Sequence, residues 1–299
     1  GIGPHEYRRI SALLELVNDY RDRLSSNPGS YEEFLARSRT LVCGTCVGMG
    51  LGHLGLNQIQ YDWVIIDEAA RSISSELAIA MQSANRILLV GDHKQLPPLF
   101  QEEHKNAILR KLGVPRVEPF QKEVFKSDFE KAFLSPYGKA VGRSLLTQYR
   151  MAEPISRLVS DTFYEQPLIT GDREIPVFYN DGIDVLKAPV TWLDTSECKF
   201  GFDSEDGTSL VNLEEVNQIL AVLKEIEANR DYVEQLTSLV SSGEPAIGVI
   251  CMYGAQKRLL RRKFNELAWS PEFRSLIKID TVDSYQGKEN RVIIVSITR

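Results

Sequence analysis

Two acids stand side by side at the end of an apolar run. In Tyr61-Asp62-Trp63-Val64-Ile65-Ile66-Asp67-Glu68-Ala69-Ala70 the β-branched stretch predicts a buried strand that ends in both carboxylates. Open α/β sheets bind ligands at the carboxyl edge of their strands. There Asp67 is suited to hold Mg²⁺ through water, and Glu68 to orient and deprotonate a water attacking a phosphoryl group. Taken alone, the dipeptide reads more readily as a strand ending in a solvated turn. A second apolar strand at residues 87–90 runs into Gly91-Asp92-His93-Lys94-Gln95-Leu96-Pro97-Pro98. This places Gln95 on a neighbouring strand end, where a neutral amide can donate to a phosphate oxygen and accept from a water. An ordinary turn accounts for Gly91 and Pro97 but gives no reason for residues 92–95.

These residues need a scaffold, and the hydrophobic pattern supplies one. Residues 5–37 are polar and helix-forming, with Leu13, Leu14, Leu16 and Val17 on one face and a break at Asn27-Pro28-Gly29, and they read as a connector or stalk. Strands are expected at 40–43, 63–66 and 87–90 with a helix at 74–81, a parallel sheet covered on both faces. Residues 100–140 read as an irregular excursion with short helices. A second α/β series follows: strand 144–148, helix 154–164, strand 190–193, helix 212–228, strand 247–251, helix 255–267, and strands 277–281 and 292–297. Residues 203–207 are expected to form an exposed loop. The chain therefore divides into a helical connector at 1–38, a first α/β domain at 39–140 and a second at 141–299.

The ordered set DEAA, GDHKQLPP, Gln148-Tyr149-Arg150-Met151 and VDSYQGKE at residues 282–289 resembles superfamily 1 helicases, in the subgroup containing the nonsense-mediated decay RNA helicase and its bacterial relatives. The resemblance covers about residues 40–299. It implies two RecA-like domains with parallel sheets and ATP in the cleft between them, the first domain incomplete and the second truncated at its C-terminal end. By the same resemblance Asp67 binds Mg²⁺, Glu68 activates water and Gln95 contacts the γ-phosphate. Arg150 is implied to be an arginine finger, a guanidinium that neutralises the transferring phosphoryl group when the cleft closes. Tyr149 is a candidate for packing on the adenine or ribose, with a core-facing strand aromatic as the alternative. Gly287 and Glu289 fall in the segment that faces the nucleotide, Gly287 for close backbone approach and Glu289 to accept from ribose hydroxyls. Single-stranded DNA or RNA is the implied partner. Thr45 matches a phosphate-touching segment and Tyr253 one that approaches the nucleic-acid backbone. Lys257, Arg258, Arg261, Arg262 and Lys263 form a basic helical stripe, with Lys257 and Arg261 at its i, i+4 positions; a merely solvated face is the plainer reading.

Composition bounds these readings. Hydrophobic residues make up 43% and charged residues 25%, as in globular proteins, and no stretch reaches the roughly 18 apolar residues of a membrane span. With 35 basic and 41 acidic side chains the net charge is -6, so a polyanion must be held by local patches. Cys43, Cys46, Cys198 and Cys251 are too sparse for a disulfide scaffold and fit a reducing, cytoplasmic setting. Cys43 and Cys46 are expected to be small buried strand residues rather than a redox or zinc half-site. His5, His53, His93 and His104 show no triad or ligand spacing. No G-x-x-x-x-G-K followed by Ser or Thr occurs. Together with a start at Gly1 that lacks Met and an end at Arg299 directly after a strand-like run, this leads to the expectation of a helicase piece that is inactive as an ATPase by itself. Two other classes remain: a non-catalytic binding module with a degenerate RecA pair, and a metal-dependent hydrolase using Asp67, Glu68, Asp92 and His93.

Overall fold

The computed structural model describes residues 3–26, 30–52, 56, 59–113, 118–172, 182–199, 201–241 and 244–298. The break at Asn27-Pro28-Gly29, His53 and the terminal Arg299 lie outside the described residues. The chain separates into two compact units, residues 1–144 and 145–299.

Unit 1 opens with helices α1 (Pro4–Ser26), α2 (Ser30–Arg37) and the single turn α3 (Cys46–Met49). Strand β1 (Val64–Ile66), helix α4 (Ser74–Met81) and strand β2 (Ile87–Leu89) follow, and then helices α5 (Glu102–Leu112), α6 (Glu118–Val124), α7 (Asp128–Leu134) and α8 (Pro136–Val141). β1 and β2 are parallel, with Ile66 opposite Leu89. Val64 and Ile66 are buried in a small core with Leu77, Ala80 and Phe129, while Ile65 and its register partner Leu88, on the other face, are exposed. The strand pair is therefore covered on one face among the described residues, which corrects the expectation of cover on both.

Unit 2 comprises β3 (Thr147–Gln148), α9 (Glu153–Phe163), β4 (Ile169–Thr170), a hairpin of β5 (Ser204–Asp206) and β6 (Ser209–Val211), and α10 (Leu213–Ala228). Next come α11 (Arg230–Ser238), β7 (Ile247–Cys251), α12 (Gly254–Asn265), α13 (Pro271–Ser275), β8 (Ile277–Thr281), α14 (Val282–Tyr285) and β9 (Val292–Ser296). β7 lies between β8 and β9, all parallel. α10 buries Val216, Ile219, Leu220, Leu223 and Ile226, the 3–4 spacing of one helix face, against Ile247 and Val249 of β7 and Leu260 of α12. Each such side chain contributes about 1.5–3 kcal/mol on burial, so this cluster is the main anchor of the unit.

Several expected elements differ. Residues 40–43 are not a strand: Leu41 is exposed, and none of the described strands pairs there. Residues 190–193 are irregular, since Pro189 withholds a ladder donor and Val190, Trp192 and Leu193 all face out. The 144–148 strand shrinks to its last two residues, with Leu145 exposed. Residues 204–207 are exposed as expected, but within the β5–β6 hairpin, whose tight turn uses Gly207 at φ 65, and Asp203 just before it is half-buried. Cys43 is exposed and Cys46 half-buried, so neither is a buried strand residue; only Cys251 of the four is buried. Among the described residues no helix is long and apolar enough to cross a membrane.

Candidate functional site

In unit 1 the acid pair sits where β1 stops. Glu68 takes a left-handed backbone, φ 52, which is rare outside glycine. Its N–H donates to the Asp67 carboxylate at 2.9 Å, tying the two acids into one turn. The kink lets the ladder resume beyond it: Val90 N–H donates to Ile66 O and Ala69 N–H to Val90 O, both at 2.9 Å. Ala69 and Ala70 are buried at the strand end, against Gly91. A Cβ on Gly91 would lie 2.9 Å from Ala70 N and 3.3 Å from Ala69 N, so that glycine is what lets the two strand ends close on each other.

Beyond Gly91, Asp92 organises the loop. Its carboxylate accepts from Lys94 N–H at 2.9 Å and from the Gln95 amide at 3.0 Å, while its carbonyl accepts from Gln95 N–H. Asp67, Glu68 and the Asp92-held Gln95 thus occupy the carboxyl ends of two adjacent parallel strands. His93 instead packs its ring 5.5 Å from that of Phe133. Among the described residues no group of three His, Cys, Asp or Glu side chains could hold a metal. Mg²⁺ is compatible with this site because it keeps several waters and needs only one or two protein carboxylates beside substrate phosphates. Asp67 meets that requirement.

In unit 2 the Gln148-Tyr149-Arg150-Met151 turn follows β3. The Gln148 side-chain oxygen accepts from Arg150 N–H at 2.9 Å and Met151 N–H at 2.7 Å; its nitrogen donates to Met151 O at 2.9 Å and Thr170 Oγ1 at 3.0 Å. Tyr149 is 54% exposed, which excludes the core-facing alternative. Its ring lies over Gly171, where a Cβ would come within 2.2 Å of Cε1. Arg150 Nε donates to Glu289 Oε1 at 2.9 Å, bringing together residues far apart in sequence. Gly287 has φ 72 with nothing within 4 Å of a built Cβ, so its backbone angle, not crowding, calls for glycine.

The residues singled out for nucleic acid are scattered among different settings. The exposed Thr45 caps α3, accepting from Gly48 N–H at 3.0 Å. Tyr253 occupies the N-cap position of α12. The expected basic stripe is not an unpaired positive face. Lys257 lies 3.2 Å and Arg261 3.8 Å from Asp280, Arg258 pairs with Asp206 and Lys263 with Glu266. Burial pushes the Asp280 carboxyl up, but Thr281 N–H, Lys257 and Arg261 outweigh it and hold it below its ordinary value. Burial, then Glu76, raises the Cys46 thiol, the opposite of what a redox nucleophile requires.

The sequence singled out Asp92 only as a possible metal ligand and Gln148 only as part of a motif, and it passed over Gly171 and, under the basic helix, Asp280. The available signals were local, a glycine directly after an apolar strand and a Gln two residues before the arginine.

Two family models, each described as an AAA domain, match residues 3–103 and 124–299. The DNA replication ATP-dependent helicase/nuclease of Saccharomyces cerevisiae is 27% identical over 90% of this chain and 17% of its own length. The DNA polymerase alpha-associated DNA helicase A of Schizosaccharomyces pombe is 28% identical over 96% of the chain and 39% of its own. An uncharacterised ATP-dependent helicase of Methanocaldococcus jannaschii is 27% identical over 98% of the chain and 38% of its own. This chain spans well under half the length of each of these relatives. The second model alone spans more than half of the 299 residues, and the parallel α/β units agree with it: the chain belongs to the AAA-domain family, as a superfamily 1 helicase core with the RecA-like P-loop fold.

Proposed function

We propose that the chain is the motor core of an ATP-dependent helicase or translocase that moves 5′ to 3′ on single-stranded DNA or RNA. The observation that carries this reading is the acid pair Asp67-Glu68 and the Asp92-held Gln95 at the carboxyl ends of one parallel strand pair. Unit 1 supplies Glu68 to orient and deprotonate the attacking water and Gln95 to bridge that water and the terminal phosphate. Asp67 would hold Mg²⁺, which would supply neutralisation of phosphate charge when bound with the nucleotide. Unit 2 supplies Arg150, whose guanidinium meets the charge that develops on the transferring phosphoryl group. Glu289 and the exposed Tyr149 ring are assigned to the ribose and base. Thr45, Tyr253, Lys257 and Arg261 are assigned to the nucleic-acid strand, the last two through whatever charge Asp280 leaves uncompensated.

No phosphate-cradling loop with its Lys and Ser or Thr occurs in these 299 residues. Phosphoryl transfer draws its catalysis from positioning and charge stabilisation, so the 299 residues by themselves are expected not to turn over ATP appreciably. That absence favours a second reading, a nucleic-acid-binding or regulatory module that hydrolyses nothing. Against it stands the presence together of Asp67, Glu68, Gln95 and Arg150, for which such a module has no use. Substitution Glu68→Gln decides between them in the protein as its gene encodes it. The motor reading expects nucleotide binding to persist while turnover falls by about 10²–10⁴-fold; turnover equal to wild type defeats it.

A further inference from the structure

Arg150 is exposed and follows a strand only two residues long, so sheet pairing alone does not fix where its guanidinium projects. We propose that Gln148 is the positioning residue of Arg150, its carboxamide setting the turn that presents the guanidinium and Thr170 anchoring that carboxamide. The proposal rests on the reading of Arg150 as the residue that neutralises the phosphoryl group.

A carboxamide offers two N–H donors and an oxygen with two lone pairs. Gln148 uses all of them: the oxygen holds the N–H groups of Arg150 and Met151, and the nitrogen holds Met151 O and Thr170 Oγ1. The side chain thereby does what further ladder residues would do, pinning the chain at Arg150 and on both sides of Met151 before α9 begins at Glu153. The anchor is itself fixed, because Gln148 and Thr170 are register partners and Gly171 N–H donates to Gln148 O at 2.8 Å. Other side chains do not reproduce this set. Glu would direct a carboxylate at the Met151 carbonyl, and Asn is one methylene short. An error of about 1 Å in a group that positions a reacting phosphate costs roughly 10²-fold in rate, so a turn this short needs such a brace.

Amide hydrogen exchange on the full chain and steady-state ATP hydrolysis by the protein as its gene encodes it test the proposal together. In Gln148→Ala the Arg150 and Met151 amides are expected to exchange roughly tenfold faster or more, with Val249 and Ile250 of β7 unchanged. Thr170→Val, which removes only the anchoring hydroxyl, is expected to give a smaller acceleration. In hydrolysis, Gln148→Ala is expected to lower kcat about 10- to 100-fold with little change in KM for ATP, in parallel with Arg150→Ala. Unchanged exchange in Gln148→Ala overturns the proposal. So does faster exchange with unchanged kcat where Arg150→Ala does lower kcat. If Arg150→Ala itself leaves kcat intact, the assigned role of Arg150 fails, and the exchange rates alone then decide whether Gln148 holds it.

Discussion

Glu68 carries both the chemistry assigned to this chain and a backbone angle its side chain disfavours, φ 52. A left-handed non-glycine residue costs about 1–2 kcal/mol, and strain of this kind gathers at functional sites. Glu68→Gly is therefore expected to leave the thermal midpoint unchanged or slightly higher while abolishing ATP turnover, and calorimetry beside a turnover assay reads both. Gly91 predicts the reverse pattern. A Cβ there meets backbone at 2.9 Å, so Gly91→Ala is expected to destabilise unit 1 by about 1–3 kcal/mol, measured by denaturant unfolding. The Arg150–Glu289 pair is more than half exposed, so Glu289→Gln is expected to change stability by no more than about 0.5 kcal/mol. Any larger effect on turnover then belongs to nucleotide contacts. At this scale the motif residues were legible one at a time, because Asp67, Glu68, Gln95 and Arg150 stand in short runs of unusual composition. The contacts among them were not: Glu289 reaches Arg150 across 139 positions of sequence, a distance no local pattern encodes.

Elements were legible where an apolar run is long enough to need burial from both sides. Residues 247–251 and 277–281 form strands with those bounds, and helix 74–81 runs from Ser74 to Met81. Illegibility set in where a short apolar run had no ladder partner, as at 40–43 and 190–193. A polar knot in unit 2 was equally hidden. Gln256, fully buried, accepts from Asn212 N–H at 2.9 Å and donates to Asn212 O and Ser296 Oγ, each at 3.0 Å. It joins the start of α10 to the end of β9, while Asn212 caps α10 by accepting from Glu215 N–H. Gln256→Leu keeps the volume but strands these groups, each worth about 1–3 kcal/mol when buried without a partner. The expected loss of stability resembles that of Leu223→Ala, about 2–5 kcal/mol, and denaturant unfolding compares the two.

For the whole molecule, the net charge of -6 coexists with a basic helix whose cations are largely matched by acids on the same unit. Strand binding is accordingly expected to show a shallow salt dependence, since few phosphates would be neutralised by unpaired Lys or Arg. The same pairing sets an acid limit on stability. The Asp280 carboxyl is held below its ordinary value of 3.8, so its contribution is complete above that value and is lost as pH falls through the lower folded one. Below about pH 4, Asp280→Asn is expected to flatten part of the fall in thermal midpoint. The parallel α/β character of both halves was legible from alternating apolar runs and helices, whereas the helicase identity came from motif order and not from periodicity. The most direct measurement of the motor assignment is the ATP turnover of the protein as its gene encodes it, with and without single-stranded DNA or RNA. Turnover stimulated by a single strand, and lost in Arg150→Ala, is the predicted result; turnover that is absent or indifferent to the strand would contradict it.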